Sequence, residues 1–492
     1  MHSNRKFRQS GKGTWWHAEL LAIAIALSLI HGVYAEENKH RIYGNFIQPW
    51  LCAAWSEEQW RAECEAMNSL GIEAFVLGYS ASLCRWDTIM ETYYPSRLPN
   101  TTMFVDVIEP LFRYSREYGL KVYVGSEIHH DWWNWNMSNQ EDANRFLKAM
   151  ELSSHVLKEL FDIYYLRYPD VFAGFFCTFE IWNHEDWDQK ELRELHVNNL
   201  SKGFNILIDS LDAVAPELPL LFSPFSTVDG FASLENTKAF YIDFMKRTRF
   251  RKQDGMLPMD NIGGGGQTLL TVSDWSKMYF EAIKFSESNL NYYANVENFT
   301  KTNVGYVSKH ILLPSNLNDH ISSAPLGRFI RQLEIAEKYS SKIFVFSFSH
   351  YYSPVNNIEG YYNALLRYFK TGDRDNEFPT RPSTLNTNRV EKSGAIKIEW
   401  SGVYDNNGIA RVYLYKDGQL FACCFATHKD KGSEISGPTF MYIPDFQNDG
   451  SDFRLVFIDV WGNEIQTPAF KIPQTCGEII LNRSGNAPVI NR

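Results

Sequence analysis

From residue 44 to about 370 the chain alternates short apolar runs, rich in β-branched and aromatic residues, with longer segments whose apolar positions recur at helical spacing. Eight repeats of this kind follow one another. The predicted strands are Asn45–Leu51, Glu73–Tyr79, Lys121–Ile128, Ala173–Trp182, Leu218–Ser223, Met256–Ile262, Tyr292–Phe299 and Lys342–His350. Their nearly unbroken apolar character is that of parallel strands covered by helices. Between them, Ser56 is placed to cap a helix that stops before Gly71, and Gly119 stops the next. Further helical periodicity runs through Gln140–Tyr168, Leu192–Val214, Thr237–Arg249, Asp274–Ser288, Pro325–Tyr339 and Gly360–Lys370. Strict alternation of eight strands with eight helices predicts an α/β fold, a (β/α)8 TIM barrel over residues 40–372. No glycine-rich phosphate fingerprint follows the first strand, which counts against an open doubly wound sheet.

The pattern changes at Thr371–Ser383, where Gly372, Asp373, Asp375, Pro379 and Pro382 make a polar, turn-rich linker. Beyond it, period-two runs at Ala395–Trp400, Ile409–Lys416, Gln419–Ala426, Phe440–Ile443, Phe453–Asp459 and Glu464–Phe470 are separated by turn sequences such as Lys416-Asp417-Gly418. These predict a small all-β sandwich of immunoglobulin or fibronectin type over residues 384–475. At the other end, Arg5, Lys6, Arg8 and Lys12 precede an apolar run from Leu20 to Ile30 and the small-residue site Val33-Tyr34-Ala35. Residues 1–35 therefore read as a secretory signal, and the mature chain as secreted, periplasmic or cell-surface, with no integral membrane span.

Loss of that segment moves the formal charge from −10 to −13, which excludes a nucleic-acid partner. The seven cysteines are an odd number without metal-type spacing. A pair such as Cys52 with Cys84 is open to an exported protein, but a buried free thiol is the expected fate of each. Aromatics reach 15% of the chain, which suits stacking on the apolar faces of sugars and equally suits a large aromatic core.

TIM barrels build their sites at the carboxyl ends of the strands, so polar residues there carry a functional expectation. Phe175-Phe176-Cys177-Thr178-Phe179-Glu180-Ile181-Trp182 at the fourth strand and Tyr292-Tyr293-Ala294-Asn295-Val296-Glu297-Asn298-Phe299 at the seventh each deliver one carboxylate. Hydrolysis of a glycosidic bond needs a carboxyl that protonates the leaving oxygen and a second that attacks the anomeric carbon or activates water. In retaining enzymes the two stand about 5–5.5 Å apart. Glu180 is assigned as acid/base and Glu297 as nucleophile. Aromatic neighbours such as Phe179 and Trp182 would raise the acid's pKa by desolvation.

Glu127 after strand three and Asp260 after strand six are rival carboxylates, and Glu180 with Asp260 at wider separation would make an inverting enzyme. The run His129-His130-Asp131-Trp132-Trp133-Asn134-Trp135 has the makings of a sugar subsite, and Trp50, Tyr79, Trp182, Asn295, His350 and Tyr351 complete the substrate-binding candidates. Core packing is the plain alternative for each of these aromatics. His129, His130, His184 and His350 lack metal-ligand spacing, so neither a metal nor another cofactor is expected. Gly263-Gly264-Gly265-Gly266 lacks the lysine and hydroxyl residue of a phosphate loop and reads as a flexible rim segment.

At Phe46-Ile47-Gln48, with Trp55 and Glu58-Gln59-Trp60, then Phe172-Ala173-Gly174-Phe175 with Phe179-Glu180, the chain resembles an uncharacterised family of glycosidase-like TIM barrels of Bacteroides-type gut bacteria. The resemblance implies a β-sandwich after the barrel, a glycoside hydrolase activity and an oligo- or polysaccharide substrate. Carboxylates after strands four and seven also look like the arrangement of the large retaining-glycosidase clan, from which this chain departs in having Phe179, not Asn, before Glu180. The alternative function is a non-catalytic carbohydrate-binding surface protein.

Overall fold

The computed structural model describes residues 42–83, 89–303, 306–308, 319–356, 359–390, 395–426, 439–443, 449–473 and 477–479. The signal expected at 1–35, with Cys84 and Cys476, lies outside them. Eight parallel strands form the centre: β1 (Ile42–Ile47), β2 (Ala74–Leu77), β3 (Lys121–Gly125), β4 (Phe172–Cys177), β5 (Leu220–Phe222), β6 (Gly255–Met256), β7 (Asn291–Tyr292 and Ala294–Glu297) and β8 (Ile343–Phe346). Each pairs with the next, β8 pairs with β1, and β7 closes the ring by bonding β6 through its first half and β8 through its second. The barrel is filled by Phe46, Ala74, Val76, Tyr123, Phe176, Leu221, Leu257 and Phe344, with Tyr293 and Phe346 against them. A helix of ten residues or more follows each strand: α1 (Glu57–Ser69), α2 (Ile108–Glu117), α3 (Gln140–Tyr164), α4 (Lys190–Val214), α5 (Leu234–Arg247), α6 (Val272–Ser286), α7 (Leu326–Ala336) and α8 (Glu359–Thr371).

Local chemistry explains the ends of these elements. Ser56 Oγ accepts from Gln59 N while Gln59 Oε1 accepts from Ser56 N, a capping box that satisfies two orphan donors of α1. Gly119 follows α2 at φ +72°, a conformation that disfavours any side chain. β6 is shorter than the sequence implied because Pro258 has no N–H to give the ladder. Its carbonyl still accepts from Asn295 N at 3.0 Å. β3 and β4 also end early. Residues Glu127–His129 leave the barrel to pair with Ala81–Leu83 in a small four-stranded sheet over the mouth, and the chain after Cys177 has no strand partners until Trp182 meets Phe225.

The C-terminal part is two packed sheets around one core that includes Ile398, Trp400, Val412, Leu414, Leu455 and Phe457. One sheet holds β9 (Thr384–Arg389), β10 (Ile396–Ser401) and β13 (Phe440–Ile443). The other holds β11 (Ile409–Lys416), β12 (Gln419–Phe425), β14 (Phe453–Asp459) and β15 (Glu464–Gln466). β9 was not among the predicted strands: its Asn and Thr residues hide the alternation. Tyr306–Ser308, from the segment between β7 and α7, joins the second sheet beside Ala422–Cys424. The two parts also meet where Leu326 N and Gly327 N of α7 donate to Val460 O and Trp461 O, and where the Arg411 guanidinium reaches Ser323 O. Cys52, Cys64, Cys177, Cys423 and Cys424 are buried free thiols. Among the described residues no helix is long and apolar enough to cross a membrane.

Candidate active site

Side chains alternate along a strand, so Asn295 and Glu297 share the inward parity of Tyr293 on β7, while Glu180 stands three residues beyond the end of β4. Asn295 occupies the deeper layer, where its Nδ2 donates to Ser223 Oγ at 3.1 Å, and it is 1% exposed. Glu297, the last residue of β7, stands one layer higher and is 5% exposed, while Glu180 is half-buried. Burial pushes the Glu180 carboxyl up to about 8, and no other group contributes. Glu297 also rises to about 8, first through burial and then through the charge of Asp260. The Gly264 N–H and Arg328 pull it down, and the Glu180 charge raises it again. Glu180 and Glu297 therefore stand within each other's electrostatic reach.

The tetraglycine is no loose rim. Gly264 N donates to Glu297 Oε2 at 2.9 Å, and a Cβ on Gly263 would lie 2.9 Å from the same oxygen and 2.7 Å from Phe299 O. Glycine is required here because the backbone packs directly on the carboxylate. Asp260 faces the other way. Its Oδ2 accepts from Gln332 Nε2 of α7 at 2.6 Å, its Oδ1 accepts from Glu297 N at 3.2 Å and Ile262 N at 3.3 Å, and Gln332 also donates to Glu297 O at 2.9 Å. Burial lifts Asp260 to about 6 against these donors. It is thus bracketed to the helix layer, one step behind Glu297.

Two aromatic groups flank the carboxylates. On the β4 side Trp132 donates from Nε1 to Glu180 O at 2.8 Å and packs against Trp182, Phe179 and Trp135. His129 meets Phe179 and Trp135, and the half-exposed Trp133 covers Trp182. On the β8 side the exposed Trp50 meets His350, which meets Tyr351, which in turn meets Phe299. Burial holds His350 down at about 4, and the Tyr351 hydroxyl is raised first by burial and then by the Glu297 charge. Tyr79 is buried against Tyr93. Glu127 is fully buried, and its Oε1 accepts from Ser153 Oγ of α3 at 2.9 Å and lies 3.2 Å from His129 Nε2. The early end of β3 turns it from the mouth toward the helices.

A family model described as a domain of unknown function, DUF4434, matches residues 42–358, well over half of the chain. The chain belongs to this family. No curated protein matches it. Among solved structures, the DUF4434 chain is similar to a chitinase from Bacillus thuringiensis (10% identity, TM-score 0.39, 88% of this chain and 84% of that one). It is likewise similar to a family 1 β-glucosidase from Thermotoga maritima (12%, 0.37, 68% and 99%) and to a D-allulose 3-epimerase from Methylomonas sp. (11%, 0.32, 63% and 84%).

In the DUF4434 domain His184 and Asp186 of the loop after Glu180 also meet His196 of α4, with donor atoms within 4.8 Å of one another. Asp186 Oδ2 accepts from Asn136 Nδ2 and Ser138 Oγ, which binds the β3 and β4 loops together, and His184 Nδ1 accepts from Asp186 N. Arg328, Gln332 and Gly264 were not read as site residues from the sequence. Gln332 had a signal: it is a polar residue on the buried face that Phe329, Leu333 and Ala336 give α7.

Proposed function

We propose that this protein is a glycoside hydrolase acting with retention on an oligo- or polysaccharide, and that residues 1–35 direct its export. The observation that carries the reading is a pair of glutamates, Glu297 ending β7 and Glu180 just beyond β4, both raised to about 8 by burial, with the Glu180 charge among those that raise Glu297. Burial alone raises Glu180, and no donor stabilises its anion among the described residues, which suits it to carry the proton that the leaving glycosidic oxygen takes. Glu297 has the Gly264 N–H and Arg328 to favour its anion, which suits it to attack the anomeric carbon. The C–O bond to the aglycone breaks as the bond from Glu297 forms. Glu180, now ionised, takes a proton from water, whose oxygen displaces Glu297 and leaves the anomeric configuration unchanged overall.

Commitment of Asp260 to Gln332 and to the backbone of Glu297 favours a supporting role for it over that of an inverting base. Exposed Trp50 and Trp133 offer ring faces for sugar at the rim. The test is release of reducing sugar from a broad glycan panel by wild type, Glu180→Gln and Glu297→Gln. Turnover by wild type that both variants lose supports the assignment; glycan affinity without turnover by any of the three would establish a binding protein instead.

A further inference from the structure

Where the linker meets the sandwich, three aspartates distant in sequence converge. Asp375 comes from the linker, Asp405 from the turn between β10 and β11, and Asp459 from the end of β14. They are 8%, 8% and 1% exposed, and each offers a carboxylate oxygen within 4.8 Å of the others. Among the described residues no lysine, arginine or histidine forms an ion pair with any of them. Carboxylates removed from water need a partner of opposite charge, and three together without one are strongly unfavourable.

Most of their oxygens are held by donors. Asp375 Oδ1 accepts from Glu377 N at 2.9 Å and Oδ2 from Asn407 Nδ2. Asp405 Oδ1 accepts from Asn407 N at 2.8 Å. Asp459 Oδ1 accepts from Gly462 N and Asn463 N, and Oδ2 from Asn463 Nδ2 at 2.8 Å. Asp405 Oδ2 is the exception: it is buried and has no hydrogen-bond partner. A fully buried carboxylate oxygen, left without a donor among two other carboxylates, marks the place of a cation.

We propose that Asp375, Asp405 and Asp459 bind a calcium ion that fastens the sandwich to the barrel. Calcium takes about six to eight oxygen ligands at about 2.3–2.6 Å in flexible geometry, whereas magnesium demands a near-ideal octahedron at about 2.0–2.1 Å and keeps several waters; three buried carboxylates brought together from a linker and two turns suit the former. The all-oxygen, anionic donor set also disfavours zinc and copper. The ion joins the linker to two sandwich turns, and the turn after Asp459 continues into Val460 and Trp461, whose carbonyls receive Leu326 N and Gly327 N of α7. The calcium site thereby braces the helix that carries Gln332 and Arg328.

The test uses the full chain after treatment with chelator. Calcium is expected to raise Tm by several degrees, and terbium to bind with luminescence sensitised by the nearby Trp461 and displaced by calcium. Asp405→Asn and Asp459→Asn should each abolish both responses. Should a variant not fold, the wild-type titration and the calcium content of the protein before chelation decide alone. Absence of a calcium response in the wild type, an equal response to magnesium, or a response that survives both substitutions would overturn the proposal.

Discussion

Glu63 lies outside the barrel wall and Glu297 at its mouth, and both are glutamates almost wholly removed from water. Glu63, on α1, receives the hydroxyls of Ser349 and Ser353, and Asn45 of β1 donates to the same Ser349 Oγ at 2.6 Å. Each of its oxygens has a donor, and the group ties α1, β1 and the turn after β8 together. Burial still lifts it to about 7, against the two serines. Glu297 has one backbone donor and two carboxylate neighbours that oppose its charge, and Glu180 has no donor to its carboxyl among the described residues. Burial alone therefore does not distinguish the two kinds of site. What separates them is whether the surroundings satisfy the carboxylate or leave its charge to be met by something that arrives later.

Substitution should separate the two regions sharply. The largest effect is expected for Glu180→Gln and Glu297→Gln, each lowering kcat/KM by about 1,000-fold or more, because proton transfer and nucleophilic attack lose their groups. Stability should move in the opposite direction. Both carboxyls are raised above their unfolded value of 4.5, so the stability they contribute is fully present below that pH and is lost as pH rises through about 8. The glutamine variants, which cannot ionise, are expected to melt above wild type at pH 9. A lower melting point there would mean that these glutamates hold the fold.

Glu63→Ala should show the reverse pattern. It leaves two buried serine hydroxyls without their acceptor and opens a void, at a cost of about 2–3 kcal/mol of unfolding free energy. Denaturant unfolding measures that loss, and kcat/KM of the folded fraction should stay within about threefold of wild type. A large fall in turnover with unchanged stability would place Glu63 in the reaction and dissolve the contrast. Between these extremes lies Gly263→Ala. Its Cβ must displace Glu297 Oε2 or Phe299 O, so activity should fall at least about tenfold while Tm changes little.

The repeating half of this molecule was legible because periodicity reports which face of an element is buried. All eight barrel strands and their helices overlap the runs that the apolar pattern marked, β6 only at Met256, and strand order is what nominates Glu180 and Glu297. Features that depend on a chain break or on distant partners were not legible in this way. Expecting one straight strand from Lys121 to Ile128 gave Glu127 to the mouth, whereas the chain bends after Gly125 and gives it to Ser153. Four glycines read as slack, since sequence does not say that a carboxylate 33 residues away will rest on the Gly264 N–H. Asp375, Asp405 and Asp459 carried no metal-type spacing because they meet only once linker and sandwich have docked.

The smallest expected effect is also the most specific probe of the mouth. Asp260 raises Glu297 through its charge, yet its hydrogen bonds to Gln332 and to Glu297 N run through oxygens that an amide could partly reproduce. Asp260→Asn removes the charge and keeps the Oδ1 acceptor toward Glu297 N. With one anion fewer beside it, Glu297 ionises more easily, and its pKa falls. The limb of the pH–activity profile set by ionisation of the nucleophile should therefore shift to lower pH, by about one unit for an interaction of about 1.4 kcal/mol. The alkaline limb, set by loss of the Glu180 proton near 8, should stay in place, since Asp260 is not among the groups that shift Glu180. Movement of the alkaline limb alone would exchange the roles of the two glutamates, and a profile that collapses without shifting would make Asp260 itself the base.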